Sequence, residues 1–353
     1  MGEILKPSTE KRINQSDNFN AIDIGKFVAA ILVMFIHCKK LFYNEVLNLV
    51  VINIICRYAV PFFFVATGFF FFRKLKYVDG KIEKDKENFS FFINYEKRIV
   101  ILYLVWSAVY CGLRYYDYCK NFWGQYNFIK DFLVDFTISE SYYHMWYLLS
   151  MIFAVPVIYF LLRFIKIKYV CIITLLLYIV EVLVYGYNWI PQIAVFSAIV
   201  DKTHIFGVAL LRTVPLILIG LFCLNSKLNF KKRIVGLIVC VILNVFEILM
   251  LYVVTNGTGR YSYIFTTLPL AFFIFGVVSE IKVNCNKNIC IYLRKSSTIV
   301  YCIHPLVYFF IERIEFVSSW INFCISLSIC MMFASIIIWL SSKRVFNFLK
   351  YLY

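Results

Sequence analysis

Charge is scarce in this sequence. Asp, Glu, Lys and Arg make up 16% of its 353 residues, against about 25% in an ordinary soluble domain, so no aqueous fold could cover the apolar remainder. Glycine and proline are sparse too, 13 and 7 in number. That excludes collagenous and low-complexity architectures and leaves little material for the matched helix breaks of many secondary transporters. No GxxxxGK[ST] loop is present, which removes ATP-driven pumps. The 12 cysteines include no CxxC pair and no Cys/His group at zinc-ligand spacing, so no metal is expected. Most of them, Cys56, Cys171, Cys240 and Cys330 included, fall in apolar runs and read as small core hydrophobes.

What the sequence does have is long apolar runs: 62% of residues are hydrophobic and the mean hydropathy is +0.79. A helix needs about 20 apolar residues to cross a bilayer, and the runs lack the alternation of a lipid-facing barrel. About ten read as transmembrane helices: 22–38, 47–72, 99–115, 144–162, 169–187, 205–224, 234–255, 263–281, 297–311 and 320–340. The ninth is short and could be re-entrant or strongly buried. The first has no cleavage site behind it and reads as an uncleaved signal anchor. Residues 1–19 form a polar cytoplasmic tail, 20–342 a single membrane domain, and 343–353 a basic cytoplasmic tail. On this parsing 25 of the 36 Lys and Arg fall on the side of the N-terminus and 8 on the other, with Lys26, Arg57 and Arg212 inside spans. Positive residues are retained in the cytoplasm, so the net charge of +16 reflects topology rather than nucleic-acid binding. The expected fold is an all-α integral membrane protein with both termini inside. The half-apolar segment 189–204, which carries His204, lines a cavity mouth or is an interfacial loop.

A charge within the hydrocarbon costs about 2.5–3.5 kcal/mol on the insertion scale, so each one needs a reason. Asp23 opens the first span and His37 closes it. Lys26, Arg57, Glu181, Arg212 and Glu247 lie within spans, and the two acids are expected to pair with a cation such as Arg212. Lys26 and His37 are eleven residues apart, hence about 20° apart around a helix and about 16 Å along it. They share a face and are expected to look into one cavity. The plain alternative is that Lys26 snorkels to the inner interface beside Asp23 while His37 marks the outer end.

Several segments resemble the membrane-bound acyltransferase 3 family: Ala21-Ile-Asp-Ile-Gly-Lys26, then His37, then Arg57-Tyr-Ala-Val-Pro-Phe-Phe-Phe-Val-Ala-Thr-Gly-Phe69, His144-Met-Trp-Tyr147 and Tyr301-Cys-Ile-His-Pro305. They occur in the family's order along nearly the whole chain, each weak alone and fairly specific together. Within the family the chain looks most similar to the membrane half of the serine racemases associated with vancomycin resistance. The sequence stops at Tyr353, so racemase chemistry is not expected of it. Thr67 stands where the family commonly has serine and Phe69 where it often has tyrosine.

The resemblance implies transfer of an acyl group, often acetyl from cytoplasmic acetyl-CoA, to a hydroxyl of an envelope glycan, lipid-linked sugar or cell-wall precursor. It implies a multi-pass plasma-membrane enzyme in contact with membrane lipid, acyl-CoA and a carbohydrate acceptor, and the Lys-, Asn-, Ile- and Tyr-rich composition suggests an AT-rich bacterial source. His37 would be the general base on the acceptor, an effect worth about 10²- to 10⁴-fold, or a transient acyl carrier. Lys26 would act with it, and Arg57, Lys97 and Arg98 would hold donor phosphates. Asp23, His144, Trp146 and His304 are candidates for the cavity wall, although a buried histidine bonded to a backbone carbonyl is as good a reading of His144 and His304. The His-x₄-Asp motif of glycerolipid acyltransferases is absent, the fifth residues after the four histidines being Phe42, Leu149, Ala209 and Phe309. A permease for a small polar solute such as an amino acid, and a membrane partner without chemistry, are the competing classes.

Overall fold

Apolar runs broken by short polar loops become helices because hydrocarbon offers the backbone no other hydrogen-bond partner. The computed structural model describes residues 19–38, 42, 44–124, 127–190, 193, 207–313 and 319–353. The N-terminal tail before residue 19, His204 and nearly all of segment 189–204 beyond Ile190 lie outside the described residues. Eight helices among the described residues are long and apolar enough to cross a membrane: Asn20–His37, Val46–Phe72, Lys86–Asn121, Trp146–Phe164, Ile167–Gly186, Val208–Asn225, Phe230–Val254 and Ser319–Ser341. The other two expected spans coincide with helices that fall short of that standard. Thr267–Glu280 has only 14 residues. Lys287–Ile311, the segment read as short, has 25 residues, but its first turns carry Lys287, Arg294 and Lys295.

The α-helices are numbered here in chain order: α1 Asn20–His37, α2 Glu45–Leu49, α3 Ala59–Phe72, α4 Lys86–Asn121, α5 Phe128–Val134, α6 Trp146–Phe164, α7 Ile167–Glu181, α8 Val214–Asn225, α9 Phe230–Val254, α10 Thr267–Glu280, α11 Lys287–Ile311 and α12 Ser319–Ser341. Helix α1 is central, packing on α11 and α3 with Ile22, Ala30 and Met34 fully enclosed. Helix α9 is peripheral. Its Val235, Ile238, Ile242 and Phe246 are all more than half exposed and follow helical spacing, which makes a face for lipid, while Cys240, Asn244, Glu247 and Leu251 face inward.

Helices α3 and α8 cross at backbone contact. A Cβ on Gly68 would lie 1.9 Å from the Ile217 carbonyl oxygen, and one on Gly220 2.3 Å from the Phe69 nitrogen, so both positions require glycine. Small residues that let backbones meet are the usual adhesive between helices in lipid. Gly68 in the Thr-Gly-Phe motif therefore serves packing.

Among the described residues three spans depart from α-helical geometry. Wide π turns occupy Val50–Ile55, followed by a 3₁₀ turn at Cys56–Tyr58, and also Val182–Gly186 and Val208–Thr213. Pro61 and Pro215 follow the first and third, and a proline offers no N–H to the carbonyl four residues back. Such turns mark functional positions in many helices, and here they carry or adjoin Arg57, Glu181 and Arg212.

On the other side Asp79 and Gly80, at φ 49° and 73°, form a two-residue turn between strands Tyr77–Val78 and Lys81–Ile82. This hairpin was not foreseen, although Asp-Gly is its ordinary signal. The Asn88 side chain ties it down, bonding the backbone of Lys76 and Glu83. Residues Arg344–Leu352 form a 3₁₀ helix that folds back instead of trailing as a tail: the Trp106 indole donates to Leu352 O at 3.2 Å and the Tyr353 and Ser341 hydroxyls lie 2.8 Å apart.

Candidate functional site

Lys26 and His37 do share a face of α1, but they line two cavities. Their separation of about 16 Å along the helix places one on each side of an aromatic layer. Phe63 and Tyr147 line the cavity with Lys26, whereas Phe64 and Trp146 line the one with His37. The rings pack together: Phe64 on Tyr147 at 4.6 Å, Phe63 on Tyr301 at 5.9 Å and Tyr147 on Tyr301 at 5.4 Å between centroids. The Pro-Phe-Phe-Phe and His-x-Trp-Tyr motifs thus build a partition, and adjacent residues in each look opposite ways.

The Lys26 cavity, about 660 Å³, is strongly basic: Lys74, Arg98, Arg294 and Lys295 join Lys26 on its wall, without an acidic residue among the described lining. Asp23, buried, stands behind them and meets Arg294 at 3.7 Å. Lys26 sits 4.8 Å above the Phe70 ring. Thr67, on the same wall, faces the Tyr147 hydroxyl at 3.4 Å. Of the cations singled out in the sequence, Arg98 is here; Lys97, the residue before it, is not among the described lining; Arg57 belongs to the other cavity. Arg294 and Lys295 were missed. Their signal was available, since α11 carries them two turns before the Tyr-Cys-Ile-His-Pro segment, but a loop reading of residues 282–296 hid their common direction. Lys76, in the hairpin outside the spans, ion-pairs with Glu87 at 2.6 Å, which holds its ammonium above the usual lysine range.

The His37 cavity, about 340 Å³, is lined by Asn53, Arg57, Trp146, Arg212 and Ser262 besides His37. Behind His37 lie two more histidines, His304 at 5.4 Å between ring centroids and His144 a further 5.4 Å from His304; Tyr143 covers His37 at 4.9 Å. The local sequence fixes their tautomers. Pro305 cannot donate to the Tyr301 carbonyl, and His304 Nδ1 takes it at 2.7 Å. His144 Nε2 lies 3.2 Å from the Cys302 carbonyl. A carbonyl only accepts, so each of these nitrogens carries its proton and the other presents a lone pair. His304 Nε2 and His144 Nδ1 are both buried without a hydrogen-bond partner among the described residues. Each histidine thus has one nitrogen on a carbonyl and its ring near His37, and neither is among the described lining of the two cavities.

Glu181 pairs as expected, 2.9 Å from Arg212 Nε. Glu247 pairs with no cation among the described residues. It accepts from the Tyr187 hydroxyl, the Phe265 and Thr266 amides and the Thr266 hydroxyl, at 2.7–3.0 Å. Those amides sit at the N-terminus of α10, where the helix dipole supplies the positive potential that a cation would have given.

The profile of a protein family described as an acyltransferase domain matches residues 19–341. An amino-acid racemase of Enterococcus faecalis is 25% identical over 169 residues, which is 48% of this chain and 22% of that protein. This chain therefore matches about a fifth of its relative's length. No solved structure matches.

Proposed function

The chain belongs to the membrane-bound acyltransferase 3 family, and on that premise we propose that it moves an acyl group, acetyl first among them, from cytoplasmic acyl-CoA to a hydroxyl of an envelope glycan, lipid-linked sugar or cell-wall precursor. That it is a multi-pass membrane acyltransferase follows from the family and the apolar helices; the donor, the acceptor, the orientation and the residue roles are this proposal. The observation that carries it is the pair of cavities on one helix, basic at Lys26 and histidine-lined at His37, divided by a single aromatic layer.

The basic cavity suits the phosphates of acyl-CoA: Lys26, Arg98, Arg294 and Lys295 supply charge-assisted hydrogen bonds to phosphate oxygens, and the positive-inside distribution supports a cytoplasmic opening for that cavity. The acyl chain then points at the partition formed by Phe63, Tyr147 and Tyr301. On the far side the neutral His37 imidazole takes the proton of the acceptor hydroxyl as its oxygen attacks the acyl carbonyl carbon. The thioester C–S bond breaks and coenzyme A leaves as thiolate into the basic cavity. The His304 ring, stacked on His37 at 5.4 Å, holds that imidazole in position. Acyl transfer through His37 itself uses the same geometry in two steps.

The test uses membranes carrying wild type, His37→Ala or Lys26→Ala at equal expression, with acetyl-CoA radiolabelled in the acetyl group. Label entering envelope material in the wild type and lost in both variants supports the reading. Label undiminished in His37→Ala refutes the role of that side chain.

A further inference from the structure

Two arginines meet over the His37 cavity, and among the described residues only Arg212 has a carboxylate partner. Arg212 is bound by Glu181 at 2.9 Å, donates to Ser262 O at 2.8 Å and lies 4.0 Å over the Tyr263 ring. Arg57 donates to the Asn53 side chain and to the Ser262 hydroxyl, both neutral. The two guanidiniums thus converge on one residue, Ser262, from spans 155 positions apart in sequence. Arg57 lies in the 3₁₀ turn that follows the π turn of Val50–Ile55, and Arg212 lies in the π turn of Val208–Thr213, so irregular helix presents both.

Like charges this close, away from bulk water, repel unless an anion joins them. Glu181 neutralises one charge from behind Arg212. Glu140 also lines this wall and has an interaction of its own. Glu247, the other buried acid nearby, is saturated by four neutral donors. Among the described residues no carboxylate therefore pairs with Arg57, in a cavity that also holds the His37 imidazole. Guanidiniums favour carboxylate and phosphate because their planar donors match two oxygens at once.

We infer that this cavity takes an acceptor bearing an oxyanion group, a carboxylate or a phosphate, which Arg57 binds with Arg212 beside it so that a hydroxyl of the same molecule reaches His37. The inference rests on the acyl-transfer reading for the fate of that hydroxyl, but the anion subsite stands or falls by itself. A neutral sugar would leave the Arg57 charge unanswered.

The full chain in detergent, at constant ionic strength, is titrated with glucuronate, glucose 6-phosphate and glucose while its thermal unfolding midpoint is followed. An anionic probe raises the midpoint and glucose does not. Arg57→Gln weakens the anion effect by about tenfold to a hundredfold in apparent Kd, and Arg57→Lys retains part of it. A response to glucuronate alone assigns a carboxylate; a response to glucose 6-phosphate assigns a phosphate. No response to either anion, or an equal response in Arg57→Gln, overturns the inference. Coenzyme A is added in parallel. It protects wild type and Arg57→Gln alike, which also reports that the variant is folded; loss of that protection in every chain counts against the acyl-transfer reading and leaves the anion result unchanged.

Discussion

The Arg212–Glu181 pair permits a quantitative forecast. Glu181 is 1% exposed and Arg212 14%, with 2.9 Å between Nε and the carboxylate, so neither charge is well hydrated. Removing one partner of such a pair costs about 3–5 kcal/mol, chiefly because the other is left buried and unpaired, whereas removing both with groups of similar shape is close to neutral. The structure makes the two single variants unequal. In Glu181→Gln, Arg212 keeps the Ser262 carbonyl, its stacking on Tyr263 and access to the cavity; that variant falls at the low end of the range. In Arg212→Gln the deeply buried carboxylate has no other partner, and the loss lies at the high end, a large share of an ordinary stability of about 5–15 kcal/mol. The double variant, with one amide facing another, recovers to within about 1 kcal/mol of wild type. Reversible denaturant unfolding in a fixed detergent, run as a double-mutant cycle, measures all four species. Additive losses, with the double variant the least stable, would refute the argument that unpaired charge is what costs.

Other outcomes follow from the same geometry. Gly68→Val drives a side chain into the Ile217 carbonyl and should abolish accumulation of folded protein in membranes, while Gly112→Ala, with no atom within 4 Å of the new Cβ, should accumulate as wild type does. Arg98→Gln and Arg294→Gln should each raise the KM for acyl-CoA about tenfold, from the loss of a charge-assisted bond, with kcat little changed; a fall in kcat at constant KM would remove these residues from the donor site. His304→Ala should lower kcat less than His37→Ala, for which the expected loss is about 10²- to 10⁴-fold, and equal losses would mean that His304 contacts the reacting atoms itself. Asn88→Ala should loosen the Tyr77–Ile82 hairpin, whose backbone it bonds three times, and be read as faster proteolysis between Lys76 and Glu83.

The membrane class and the approximate position of the long apolar helices were legible in the sequence, because bilayer partitioning sums over a local run of residues and needs no knowledge of neighbours. Even the shared face of Lys26 and His37 came from helical periodicity alone. Which cavity each residue serves did not, since it depends on where an aromatic layer contributed by α3, α6 and α11 crosses that face. The same limit explains Glu247, whose partners are amides at the start of another helix, and the convergence of Arg57 and Arg212 on Ser262. Helix position follows from each residue's own transfer energy; pairing inside the bundle follows from how the helices pack, and only the tertiary structure decided that.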